Sequence, residues 1–207
     1  RRPGRAAGPL GLALAALLLA AARPALAVGL VADLSHRLIA ITTAFAGTEV
    51  LLFGALEDPG SEVVVLVKGP AGEQVVRRKS RIGPIWLNTR EVRFKGTPGY
   101  LALAASKPLE QLLPTAELGR YQLGAEHLAL EPIGAVGSSE RELAEFRAAL
   151  ARNKQRQGLW AADLGRVAFL GDRLFRTTLA FPANVPLGTY QVQDIEVRDC
   201  AVASAQS

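Results

Sequence analysis

From Val28 to Ser106 apolar and polar positions alternate in short blocks separated by turn residues, and this spacing predicts β-strands. Glu49 to Leu56 is densely apolar, and Ser61 to Lys68 is almost entirely valine and leucine, a β-branched composition that suits a buried strand. Glu57-Asp58-Pro59-Gly60 and Gly69-Pro70-Ala71-Gly72 read as tight turns, because proline fixes φ and glycine tolerates positive φ. Gln74 to Arg81, Ile85 to Leu87 and Tyr100 to Ala105 continue the series. The pattern then changes period. Pro108 to Leu113 reads as one helical turn or two, and Ser139-Glu140-Arg141-Glu142 has the spacing of a capping box. Leu143, Phe146 and Leu150 make a single apolar stripe, Arg152, Lys154 and Arg156 fall where the helix dipole favours cations, and Gly158 ends the helix. Strands resume over Arg166 to Leu170, Leu174 to Phe181 and Leu187 to about Gln193.

Turns recurring at roughly ten-residue spacing favour an antiparallel sandwich over a parallel sheet. The corner Pro182 to Tyr190 sharpens this expectation, since a tyrosine entering a strand after such a corner can bond the backbone just upstream. The expected fold is mostly β: an immunoglobulin-like antiparallel β-sandwich, residues 28–198, with a helical insertion at about 107–158 before the last strands. Past Tyr190 and Val192 the apolar residues are Ile195 and Val197, a slip of one in phase near Asp194 that a bulge would explain. Residues 199–207 are expected to form a short polar tail.

Residues 1–27 carry the three parts of a secretory signal: Arg1, Arg2 and Arg5, the apolar run Leu10 to Ala22, and Ala25-Leu26-Ala27 before Val28. The run is shorter than the ~20 residues a spanning helix needs, which favours cleavage over retention. Export changes the reading of charge. The chain carries a formal +5, but its first 27 residues hold four arginines and no acids, so the remainder is +1 and nucleic acid is not an expected partner. Cys200 is the single cysteine, so no internal disulfide forms despite an oxidising destination, and the core must hold by packing.

Motifs for a nucleophile elbow, a phosphate-binding loop and a zinc-protease helix are absent. His36 and His127 are the only imidazoles, and neither is accompanied by a cysteine or clustered acids, so no metal site, cofactor or catalytic residue is expected. The one charge cluster of interest is Arg77-Arg78-Lys79-Ser80-Arg81, with Arg90, Arg93 and Lys95 following around Trp86 and Asn88. On a strand, Arg77, Lys79 and Arg81 share a face that could hold an anion, dock an acidic partner or lie against anionic headgroups. A solvated edge strand guarded by its charges is the plainer reading.

Taken together, Phe45-Ala46-Gly47, Leu52-Phe53-Gly54-Ala55, Val64 to Pro70, Val76 to Lys79, Ile85-Trp86-Leu87-Asn88, Lys107-Pro108-Leu109, Gly158-Leu159-Trp160, Leu174-Phe175-Arg176 and the Pro182 to Tyr190 corner resemble the alphaproteobacterial putative transmembrane protein family. The likeness covers nearly all of residues 29 to 192. It implies a signal peptide, an extracytoplasmic domain, one C-terminal transmembrane helix and genes near a sulfite-exporter-like permease. It carries no catalytic residues. Asp199 to Ser207 is too short and too polar to be that helix. The expected role is therefore non-enzymatic: a periplasmic interaction module, anchored to the inner membrane in its full-length form, that assists such a permease. A soluble periplasmic protein binding a small anion is the alternative, and an enzyme of unknown class is a second.

Overall fold

The computed structural model describes residues 31–36, 38–42, 44–56, 58–134 and 137–206; the expected signal peptide lies outside them. Among the described residues twelve strands form three sheets. The first has the order β1 (Val31–Leu34), β2 (Gly47–Ala55), β10 (Leu174–Pro182), β9 (Ala168–Leu170). The second runs β12 (Ala201–Gln206), β11 (Gln191–Arg198), β3 (Glu62–Lys68), β6 (Leu101–Ala105), β8 (Gly165–Arg166). The third is β4 (Ala71–Ile82), β5 (Ile85–Pro98) and β7 (Glu131–Ile133).

The mostly β expectation holds, and the valine run explains its centre. β3 lies between β11 and β6 with Val63 to Val67 all buried, so both faces of this sheet are covered. One departure is direction. β8 pairs β6 in parallel, Ala104 opposite Gly165, because the chain between them crosses through helices rather than turning back in a hairpin. The expected insertion is helical in α1 (Leu109–Leu112), α2 (Thr115–Tyr121) and α3 (Glu140–Arg156), but it also contributes β7 to the third sheet.

Helix α3 begins and ends where its sequence says. Ser139 Oγ accepts the Glu142 amide at 3.2 Å, and Phe146 and Leu150 are buried. At the far end Gly158 takes φ +70°, Gly158 N–H donates to Gln155 O and Leu159 N–H to Lys154 O, the paired bonds of a Schellman motif. Only half of the capping box forms, because the Glu142 carboxylate binds Arg90 rather than the Ser139 amide: a charged fork outcompetes a neutral donor. Lys154 is turned inward and buried rather than solvated, and desolvation lowers its pKa.

The corner before β11 forms as the sequence implies. Tyr190 Oη donates to Pro186 O at 2.6 Å, and its ring meets Phe181 and Tyr100 edge-on, with Tyr100 and Phe181 stacked at 5.0 Å. Tyr100 Oη donates to Ala180 O across to β10, joining the second sheet to the first, and burial pushes this phenol up to about 12.

The segment 199–207, expected as a tail, instead holds β12. It pairs with β11 through a two-residue turn at Asp199 and Cys200, both at positive φ (50° and 59°). The irregularity expected near Asp194 lies between Glu196 and Val197 and involves only β12; the pairing of β11 with β3 is continuous. A turn with two left-handed central residues favours Asn-Gly, and a side chain there costs about 1 kcal/mol. Cys200→Gly should therefore raise stability by about 0.5–1 kcal/mol, read as an upward shift of the urea midpoint at unchanged slope.

Candidate interaction site on the long hairpin

Strands β4 and β5 are the longest among the described residues, 12 and 14 residues, and only Gly83 and Pro84 lie between them. Gly83 adopts φ +63°, the positive value such a loop requires at its first position. What reads in sequence as a strand, a break and a three-residue strand is one continuous hairpin. Its register places Ile82 opposite Ile85, Arg81 opposite Trp86, Ser80 opposite Leu87 and Lys79 opposite Asn88. Directly opposed residues share a face, so Lys79, Arg81, Trp86 and Asn88 lie on one side and Ile82, Ile85 and Leu87 on the other.

Below the tip, one face is held by α3. Arg90 reaches Glu142 as a fork, Nε to Oε1 at 3.1 Å and Nη2 to Oε2 at 2.9 Å, and Arg78 reaches Glu145 at 2.6 Å while its guanidinium sits 5.0 Å over the Phe146 ring. The hydrogen bond from Arg90, more than its charge, lowers the Glu142 pKa. A shift in register lies between Arg78 and Lys79, where Arg78 faces Arg90 and Lys79 faces Asn88, leaving Thr89 as the extra residue.

The opposite face carries a ladder of alternating charge. Arg77 donates to Glu91 at 2.7 Å, Arg93 to Glu91 at 3.1 Å, and Arg93 to Glu73 at 3.3 Å. The hydrogen bond from Arg77 is the leading cause of the lowered Glu91 pKa. The five residues expected to act together thus divide. Arg77 shares the face of Lys79 and Arg81, as its spacing requires, but its charge is answered by Glu91. Lys79 and Arg81 have no carboxylate partner among the described residues; Arg81 Nε donates only to Gly83 O. No acid occurs between Glu73 and Glu91, so the end of the hairpin is uniformly positive. Trp86 is 65% exposed, and Ile82, Ile85 and Leu87 are also exposed.

Neither histidine belongs to a cluster. His36 accepts or donates at Ser35 Oγ, 3.2 Å away, and His127 lies 3.8 Å from Glu126. Among the described residues no three His, Cys, Asp or Glu side chains converge as metal ligands.

A family model described as "Putative transmembrane protein" matches residues 29–207. The chain belongs to this family. No curated protein and no solved structure matches it. Among the described residues of this family member, no helix is long and apolar enough to cross a membrane.

Sequence reasoning missed a second surface. Val31, Leu51, Phe53, Leu170 and Leu174 are exposed on the outer side of the first sheet, a mostly apolar face crossed by Asp33 and Arg176, which lie on either side of Phe53. The signal was present in the unbroken apolar stretch Val50-Leu51-Leu52-Phe53, whose alternate members cannot all face one core.

Proposed function

We propose that this family member is a non-enzymatic envelope protein whose folded part lies in the periplasm and serves as an interaction module for an inner-membrane permease of the sulfite-exporter-like kind. The observation that carries the reading is the hairpin, an extended arm ending in unpaired cations and exposed apolar side chains. The family description supports a membrane setting for it. The Tyr190 to Pro186 bond at the entry to β11 supports reading the first two sheets as an immunoglobulin-like sandwich, with the hairpin sheet and helices added to it. Sandwiches of this class present loops and hairpins on a rigid frame, which suits docking.

Copurification of the full-length protein from detergent-solubilised membranes of its native host tests this. The permease should be recovered, and less of it with Lys79→Gln and Arg81→Gln. Failure to recover any membrane protein, together with a rise in melting temperature on adding sulfite, sulfate or thiosulfate, would replace the reading with that of a small-anion-binding protein.

A further inference from the structure

We propose that the tip of the β4–β5 hairpin seats directly in the interface of an anionic phospholipid bilayer. Ile82, Ile85, Trp86 and Leu87 would enter the boundary between headgroups and acyl chains, and Lys79 and Arg81 would meet the phosphates. All four apolar side chains are exposed, and they cluster within six residues at the end of an arm. Trp86 supplies the amphipathic ring that is enriched at membrane interfaces. The nearest acids along the hairpin are Glu73 and Glu91, and Glu91 is engaged by Arg77 and Arg93, so the tip presents unopposed positive charge to a negative surface.

Size favours lipid as the occupant of the tip itself, whose few residues could form only part of a permease contact. A standard protein interface takes about 20–30 residues from each side, more than this tip offers. A bilayer demands no shape complementarity. Depth is also bounded, because β4 and β5 satisfy only each other's backbone at the tip, and their outer edges need the hydration of the headgroup layer.

The proposal rests on the membrane setting argued above, but its test contains no permease, so either reading can fail alone. The full chain is mixed with vesicles of phosphatidylcholine and phosphatidylglycerol at a two-to-one ratio, some carrying brominated acyl chains. The apolar run at residues 10–22 gives the chain its own affinity for lipid, so the readout must be local. The protein has two tryptophans, Trp86 exposed and Trp160 buried, and Trp86→Phe isolates the Trp86 signal by difference. That signal should shift to the blue and be quenched by bromine. Lys79→Gln with Arg81→Gln should raise the lipid concentration for half-quenching about tenfold or more, and high salt should do the same. Ile85→Ser with Leu87→Ser should abolish quenching with the circular dichroism unchanged. An unshifted Trp86 signal on vesicles that bind the chain overturns the proposal, as does equal quenching by pure phosphatidylcholine. Tip-dependent binding to a purified membrane protein without any vesicle response would assign the tip to protein docking and overturn it too.

Discussion

Asp194→Asn should stabilise the fold at pH 8 by about 1–3 kcal/mol and change it little at pH 3.5. Asp194 sits in β11 between β12 and β3, opposite Gln206 and Val65, with 6% of its surface exposed and with Oδ1 lacking any hydrogen-bond partner among the described residues. Desolvation alone raises its carboxyl from 3.8 to about 6. The folded protein therefore holds this proton over a range where the unfolded chain has released it. Stability contributed by the neutral carboxyl is full below the unfolded value and is lost as pH rises through about 6. A shift of about two units corresponds to roughly 3 kcal/mol as an upper figure, and an asparagine amide buried without hydrogen-bond partners returns part of it. Glu196, two residues on and equally buried, is a useful contrast: its carboxylate accepts from Arg198 and Ser204, so its charge is answered. Urea melts of both proteins at the two pH values measure the effect. An equal difference at both would show that the buried charge is not its cause.

Trp160→Ala should cost about 3–5 kcal/mol, a third or more of the stability of an ordinary domain. Trp160 is 1% exposed and joins three elements. Its indole N–H donates to Pro98 O at the end of β5, its backbone bridges Leu101 at the start of β6, and its amide lies 3.3 Å from Lys154 O near the end of α3. Alanine would leave a cavity and strand the buried Pro98 carbonyl. At about 2–4 °C per kcal/mol for a chain of this size, the melting temperature should fall by about 10 °C. Trp160→Phe separates the two losses: it keeps most of the volume and should cost about 1–2 kcal/mol for the bond. A loss below about 1 kcal/mol for alanine would mean that the junction is held elsewhere.

Local chemistry was legible in the sequence, and pairing was not. The β3 valine run, the Ser139 cap, the Gly158 stop and the Tyr190 bond all depend on residues within a few positions of one another. The three sheets depend on partners far apart, such as Thr177 opposite Leu52 and Ile195 opposite Val64, which periodicity does not encode. β7 and β8 are too short to show a period. β12 was hidden twice over, because Ala201-Val202-Ala203-Ser204-Ala205 has little β-branching and Asp199-Cys200 is no ordinary turn signal. At the hairpin, period two placed Arg77, Lys79 and Arg81 on one face correctly. That Glu91 answers Arg77, and that Glu142 leaves its cap for Arg90, follows only from register and from the fold of α3 onto the arm.

The last α3 contacts on the hairpin are at Arg78 and Arg90, so the tip overhangs its support by only four residues of β4, about 13 Å at strand rise. An arm clamped that close to its end has little free length between clamp and tip, and the only break in its ladder there is the bulge at Thr89. The tilt of the tip and the tilt of the body are then one mechanical quantity, and a surface that turns the tip exerts its torque on the sheets through α3. One point of contact sets position but leaves rotation free, so a fixed orientation of this protein requires a second foothold elsewhere on its surface.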